Sequence, residues 1–467
     1  MAKLNRVLIA NRGEIAVRVI KACFDEGIES VLAVSEADKG SLGAQLADKV
    51  VVIGPAAAAE SYLDVNRVVA AATVTGCDGL HPGYGFLSER AELSAECAEA
   101  GIAFIGPSAE AMRRSGDKAT ARALAKELEV PINEGSDVIE SEEEARAVAA
   151  EVGYPVLLKA SAGGGGRGMR LVESESELAG AFAAAHGEAQ AAFGDGRLFV
   201  ERYVRHARHV EVQVLGDGRG GAIHLGHRDC TLQRRYQKLI EEAPAYGLST
   251  QLEERITGAA VRLISALDYA GAATCEFLVD PDRGTAGFLE INARLQVEHP
   301  VSEVVTGVDI VREQLRIAGG EGLSVTQEEI EVSGHAIEVR INAESPERDF
   351  APTPGTLRTW APPLGSDVRV DTACFPGWSV PPFYDSLLAK LIASGPDREA
   401  ALARTRQALR HLRVEGVETT AGFALDLLEH PDVVAGKVHT KWVEEEFIEG
   451  WAASRAAAAT TNEEERD

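Results

Sequence analysis

Val156-Leu-Leu-Lys-Ala-Ser-Ala-Gly-Gly-Gly-Gly-Arg-Gly-Met-Arg-Leu-Val172 is the stretch that decides the fold. The apolar run Val156–Ala160 reads as a strand, Ser161–Gly168 as a glycine turn and Met169–Val172 as a second strand. Gly163, Gly165 and Gly168 satisfy GxGxxG formally. A dinucleotide fingerprint, however, needs a helix to start at the glycines so that its N-terminus meets the pyrophosphate. A Walker A loop needs Gly-Lys-Ser/Thr, and here Met169 and Arg170 follow Gly168. Strand, glycine turn and strand instead describe a flap that lays backbone N–H groups over phosphates, with Arg167 and Arg170 adding charge. Lys159, at the end of the first strand, can reach an anion held beneath it. A mobile surface hairpin is the alternative.

Upstream, strands at Val7–Ala10, Val31–Val34, Val50–Ile53 and one ending at Gly79-Leu80 alternate with helices at Glu14–Glu26, Asn66–Thr75 and Leu93–Ala100. That alternation predicts a parallel sheet in a doubly wound α/β layer, closing near Gly106-Pro107 after the strand Ile102–Ile105. Downstream, Ala272–Val279 and Thr285–Ile291 form a hairpin around Asp280-Pro-Asp-Arg-Gly284. A β-rich region starts near Ser333 with His335–Asn342, the chain turns helical at Arg398–Leu412, and Ala456–Asp467 reads as a frayed tail.

Composition limits the partners. Of 467 residues, 73 are acidic and 47 basic, so 47 − 73 gives a net charge of −26. This surplus argues against a nucleic-acid clamp and against a polybasic membrane-surface binder. A hydrophobic share of 45% allows a large core. Six cysteines without a CxxC spacing read as reduced thiols. No run approaches the roughly 20 apolar residues of a membrane span, and Val7–Ala10 is too short for a signal segment. The expectation is a soluble, cytoplasmic protein.

The chemistry concentrates in two places. Glu290, Asn292 and Arg294 fall at i, i+2 and i+4 and share a face if their strand persists, with Glu276 on the partner strand. Two carboxylates and an amide there are hard oxygen ligands suited to Mg²⁺. A solvated strand face of alternating charges is the alternative, weakened by the apolar contexts Cys275-Glu-Phe-Leu-Val279 and Phe288-Leu-Glu-Ile291. The run Arg228–Lys238 holds Arg228, Arg234, Arg235 and Lys238 against Asp229, and reads either as an anion site or as a plain surface patch. The pairs His206/His209 and His224/His227 imitate metal spacing, but i and i+3 on a strand point to opposite faces, so no zinc site is expected.

Five segments in one order carry a resemblance: His81-Pro-Gly-Tyr-Gly-Phe-Leu-Ser-Glu89, Lys159–Arg170, Gln233-Arg-Arg-Tyr-Gln-Lys238, Glu290-Ile-Asn-Ala-Arg-Leu-Gln-Val-Glu-His-Pro300 and Arg340-Ile-Asn-Ala-Glu344. Together they resemble the ATP-grasp superfamily and, within it, the biotin carboxylases, from Asn11-Arg-Gly-Glu to about Phe447. The resemblance implies an α/β architecture with a Rossmann-like N-terminal domain (1–116) and an ATP-grasp domain (117–332) with a mobile glycine-rich lid at about 133–205. A β-rich C-terminal domain (333–447) and a tail (448–467) complete it. It also implies a reaction in which MgATP, or MnATP, converts bicarbonate to carboxyphosphate, and biotin on a carrier protein or domain is carboxylated.

By the same resemblance, Lys118, Lys159, Gly165 and Gly166 hold ATP phosphates, while Glu201, Arg202, Tyr203, Val204 and Leu278 border the base. His209 and Gln233 lie near the ribose; Tyr236 stands where many relatives carry His. Glu276, Glu290 and Asn292 are the implied metal ligands, and Glu276 and Glu290 count among the ATP-binding residues as well. Lys238, Arg294, Gln296 and the backbone of Val297 take bicarbonate, Glu298 is the base, and Arg340 and Tyr84 meet biotin, Arg340 offsetting enolate charge. Asn133-Glu134 departs from the family pattern without an expected effect on chemistry. Met1, Met112 and Met169 are the only methionines and none precedes Lys, so the chain offers no Met-Lys-Met biotin acceptor. The implied partners are therefore a biotin carboxyl carrier, a carboxyltransferase of acetyl-CoA or propionyl-CoA type, and a second copy of the chain, with Arg18 a candidate interface residue. The rivals are another acyl-phosphate ligase of the same superfamily, against which Arg340 and His81–Glu89 argue, and a silent nucleotide-binding module.

Overall fold

Short apolar runs near the N-terminus alternate with helices, which is the condition for a parallel sheet. In the computed structural model, which describes residues 3–161 and 169–455, β1 (Arg6–Ile9) lies between β2 (Glu29–Ser35) and β4 (Gly79–His81). Beyond them lie β3 (Lys49–Gly54) outside β2 and β5 (Ala103–Phe104) outside β4, all in parallel register. The strand order reverses between β1 and β4, which opens a crevice at their carboxyl ends. Asn11 bridges that crevice, its Nδ2 donating at 2.7 Å to the carbonyls of both Pro82 and Tyr84. The start of the resemblance at Asn11 and the His81–Glu89 segment therefore meet at one point.

The flap region is a small layer of its own. β6 (Val156–Ala160) pairs antiparallel with β7 (Met169–Val172) on one side and with β8 (Leu198–Arg202) on the other. Helices Glu142–Val152 and Glu175–Phe193 cover one face through Ala145, Ala149, Leu178 and Ala185. A Ser141/Glu144 capping box starts the first of these helices. Gly135 admits the chain to this layer: a Cβ there would stand 2.2 Å from the carbonyl of Val200. Gly163, Gly165, Gly166, Arg167 and Gly168 lie outside the described residues.

The body is an antiparallel eight-stranded sheet. It comprises β9 (Arg208–Asp217), β10 (Ala222–Arg234), β11 (Gln237–Ala243), β12 (Ala270–Asp280) and β13 (Thr285–Asn292), with β14 (His335–Asn342), β15 (Val368–Thr372) and β16 (Leu387–Gly395). In space the order is 13-12-9-10-11-14-16-15. The predicted hairpin is β12–β13. Besides three two-stranded sheets, the β-rich C-terminal region extends the central sheet: β14 pairs with β11, Ile240 opposite Val339. One continuous sheet thus crosses position 333.

One expectation needs correction. The packed body does not stop at 447, because residues 448–455 are helical and Trp451 is buried. Its ring meets Phe423 edge-on at 4.9 Å and its Nε1 donates to Asp426 at 2.7 Å. Residues 456–467 lie outside the described residues. Within this chain Arg18 is 5% exposed, and its guanidinium is held by Glu303 at 2.8 Å and Asp309 at 2.6 Å. All six cysteines are free and buried, and no helix among the described residues is long and apolar enough to cross a membrane.

Trp451→Ala is expected to lower stability by about 3 kcal/mol, the range for an emptied aromatic site. Denaturant unfolding of the full chain measures it, and an unchanged midpoint would mean that this segment is an appendage.

Candidate active site

Strand pairing places the predicted metal ligands together. Glu276 lies directly opposite Glu290 in the β12–β13 ladder, and Thr274 opposite Asn292. Asn292 Nδ2 donates to Glu276 Oε1 at 2.7 Å. A register shift after Glu276 inserts Leu289 as an extra residue, bending the hairpin beside these ligands. The strand does not persist to Arg294, which reaches the cluster from the turn that follows. There its Nη1 donates to Gln296 Oε1 at 2.9 Å and its Nη2 to Asn292 Oδ1 at 3.3 Å, while Nε lies 3.4 Å from Glu89. Two carboxylates and an amide on adjacent strands supply the oxygen donors a hard, octahedral cation such as Mg²⁺ takes, once Asn292 turns its oxygen from Arg294 towards the ion.

Lys238, on β11, is the centre of the charge arrangement. Its ammonium donates to Glu211 of β9, to Glu276 at 3.3 Å and to Glu298 at 2.7 Å. Arg340, on β14, donates to Glu298 Oε2 at 2.9 Å and to Glu241 at 2.6 Å. Glu298, Glu211 and Glu241 have no exposed surface. Burial by itself would push the Glu298 carboxyl up; Lys238, Arg340 and Arg228 outweigh it and hold it well below the usual range. Burial would likewise lower Lys238, but Glu211, Glu298 and Glu276 keep it firmly protonated. The arrangement is an ionised carboxylate gripped by two cations.

The nucleotide residues fall along the junction of the flap layer and the main sheet. Lys159 Nζ lies 2.5 Å from Glu201 Oε2, and Arg122 holds the other oxygen at 3.0 Å. Arg202 pairs with Asp280 at 2.9 Å, and Leu278 lies opposite His209 across β12 and β9. Tyr203 and Val204 form the crossing, where Lys441 lies over the Tyr203 ring at 5.4 Å. Gln233 is buried opposite Lys238. Lys118 opens the helix Lys118–Glu127. Tyr236 stands apart from the buried cluster: it occupies the tip of the β10–β11 hairpin, 62% exposed, where Arg235 and Tyr236 both take positive φ as a two-residue turn demands. Tyr84 donates its hydroxyl to Glu14, beside β1.

The basic run resolves into three fates rather than one patch. Arg228 is fully buried and donates to Glu211, Gln213, Thr274 and Ser302. Arg234 and Arg235 pair with Asp349 at the hairpin tip, and only Lys238 enters the site. The histidine pairs do not converge, as expected: His206 packs on His439, and His224 and His227 accept backbone N–H groups. His209 alone stands beside the carboxylates, Nε2 3.1 Å from Glu276; burial lowers it, but Glu276 raises it further. Sequence reasoning missed Glu211, Glu241, Glu338 and Lys390. Polar residues at every second position of apolar strands, His209-Glu211-Gln213 and Glu338-Arg340, were the signal available.

Comparison with known proteins agrees with this geometry. The profile described as "Biotin carboxylase, N-terminal domain" matches residues 3–112, "Carbamoyl-phosphate synthase L chain, ATP binding domain" matches 117–326, and "Biotin carboxylase C-terminal domain" matches 338–445. "Biotin carboxylase 1" of Bacillus subtilis is 49% identical over 94% of this chain and 98% of its own. A pyruvate carboxylase component from Methanothermobacter thermautotrophicus is 46% identical over 94% and 90%. The solved biotin carboxylase domain dimer of Hydrogenobacter thermophilus 2-oxoglutarate carboxylase, with MgADP and bicarbonate, superimposes with a TM-score of 0.88 at 44% identity, covering 95% and 98%. The chain belongs to the biotin carboxylase family, and is an ATP-dependent ligase with that family's three-domain architecture.

Behind Arg340, Glu338 faces Glu241 across β14 and β11, both of its oxygens buried without a hydrogen-bond partner. Burial raises Glu338 well above the carboxylate range, against the pull of Lys390, which favours its protonated form. The unfolded chain releases that proton above pH ~4.5 and the folded chain keeps it. Stability therefore falls as pH rises above that value, by up to about 1.4 kcal/mol per pH unit until the folded group ionises. Glu338→Gln removes this penalty: its melting temperature should exceed the parent's at pH 8 and converge on it near pH ~4.5. A difference that does not vary with pH would contradict a protonated Glu338.

Proposed function

We propose that the chain performs the first half-reaction of a biotin-dependent carboxylase: ATP and bicarbonate give carboxyphosphate, and biotin presented on a separate carrier is carboxylated at its ureido nitrogen. The observation that carries this reading is Glu298, fully buried and ionised between Lys238 at 2.7 Å and Arg340 at 2.9 Å. A carboxylate so held is unprotonated before substrate arrives, the state a base starts from, and it accepts a proton once an entering anion draws its cations away. Arg294 offers a planar fork to bicarbonate, with Gln296 and the backbone of Val297 completing the subsite. Arg340, already joined to the base, offsets charge developing on the ureido oxygen when biotin loses its proton. Lys159, Lys118, Gly165 and Gly166 bind the phosphates, with Glu201–Val204, His209, Gln233, Leu278 and Tyr236 around the rest of the nucleotide. Mg²⁺ held by Glu276, Glu290 and Asn292 would supply the charge compensation that phosphoryl transfer needs.

The carrier protein, a carboxyltransferase partner, a homodimeric state and a cytoplasmic setting belong to the same reading. The final acceptor is chosen by the carboxyltransferase. Relatives of 49% and 46% identity carry biotin carboxylase and pyruvate carboxylase names, so an acyl-CoA and a 2-oxo acid both fit.

Bicarbonate-dependent ATP cleavage stimulated by free biotin tests the proposal, and MgATP binding without biotin stimulation would refute it. Arg340→Ala should lose at least ~10²-fold of the biotin-dependent rate, the cost of removing one transition-state charge partner, with the KM for ATP unchanged. Glu290→Gln should raise the Mg²⁺ concentration needed for half-maximal turnover, and an unshifted Mg²⁺ dependence would remove Glu290 from the ligand set.

A further inference from the structure

Lys390 is wholly buried and unused by the chemistry described so far. It lies on β16, paired in register with Arg340 of β14 on one side and with Asp371 of β15 on the other. Its ammonium donates to the carbonyl of Val297 at 3.0 Å, and stands 3.1 Å from Glu14 and 3.8 Å from Asp371. Glu14, in the first turn of the helix Gly13–Glu26, accepts the hydroxyl of Tyr84 with its other oxygen. Asp371 does not depend on Lys390, because Arg369 grips both of its oxygens at 2.8 and 2.7 Å.

Three parts of the chain remote in sequence therefore meet at one nitrogen atom. The carbonyl of Val297 belongs to the peptide that leads into Glu298, so holding it fixes the plane from which the base projects. Glu14 in turn fixes the phenol of Tyr84. A buried ammonium left with one partner would be expensive, and this one is retained with a carboxylate and a carbonyl that belong to two different subsites.

We propose that Lys390 is a positioning residue that locks the Val297–Glu298 peptide and the Glu14–Tyr84 pair into one frame, so that the bicarbonate and biotin subsites keep a fixed separation. The inference rests on the proposed biotin carboxylation. Groups that orient a reacting group through one intervening contact typically change activity by roughly 10–100-fold when removed.

The test uses Lys390→Met/Glu14→Gln in the full chain, a pair that removes both charges together and leaves no orphaned ion. Lys390→Met alone leaves Glu14 uncompensated and is expected to lower the melting temperature; the double variant should recover most of it. The KM for bicarbonate and the KM for free biotin should each rise roughly ten-fold in the double variant, with the KM for ATP within about two-fold of the parent. A merely structural role predicts recovery of all three constants together with stability, and that result would overturn the proposal. Glu14→Gln alone, which keeps Lys390 on the Val297 carbonyl, gives a second reading should the double variant not fold. It should raise the KM for biotin and spare that for bicarbonate, and an unchanged biotin KM would also overturn the proposal. A parent enzyme lacking biotin-stimulated ATP cleavage would instead remove the function on which the inference depends.

Discussion

The ammonium of Lys238 is the constraint on which the centre of this molecule depends. Glu211, Glu276 and Glu298 come from β9, β12 and the turn after β13, and each is almost or wholly inaccessible to water. Three carboxylates cannot share a dry pocket unless something neutralises them, and removing one partner of such a buried group costs about 3–5 kcal/mol. Lys238 touches all three, and Arg228 and Arg340 brace Glu211 and Glu298 from opposite sides. The strands can pack as they do because their charges arrive already matched. The same matching keeps Glu298 ionised.

The continuous sheet explains how distant residues join that cluster. β14 and β16 come from the region expected to form a separate C-terminal domain, yet they extend the sheet that holds β9 to β13. Arg340 and Lys390 are delivered side by side by that extension. The parallel N-terminal sheet contributes from its crevice, where Asn11, Glu14 and Tyr84 meet the same layer. The site is thus assembled by strand pairing between parts of the chain about a hundred residues apart, 241 with 338 among them.

That distance marks what the sequence could convey. Glu276, Glu290 and Asn292 were legible because a hairpin and a two-residue period are local, and the strand–glycine–strand reading excluded a Walker loop for the same reason. The expectation for Arg294 missed because the strand stops at Asn292, and a residue period does not announce where its strand ends. Arg228 was read with Lys238 as one basic run, although a register shift between Asp229 and Leu232 and the turn at Arg235-Tyr236 separate them in space. Glu241 opposite Glu338 was invisible, since no local pattern states which strand becomes the neighbour. Face alternation did not apply to the histidine pairs, since His206 precedes β9 and a register shift separates His224 from His227, whereas alternation within β9 places His209 and Glu211 on one side.

The net charge of −26 gains a different meaning at this scale. Among the described residues, the cations named at the site are already paired. Lys159 is held by Glu201, Lys238 by three carboxylates, Arg340 by Glu241 and Glu298, and Arg294 by two amide oxygens and, more loosely, Glu89. An entering phosphate or bicarbonate therefore gains only the difference between its own bonds and those it displaces. Such exchange favours an anion whose geometry matches several cations at once over one that is merely negative. Selectivity for a nucleotide and bicarbonate over the ordinary anions of solution follows from the carboxylates that already occupy the pocket, and the acidic surplus is part of the recognition rather than an obstacle to it.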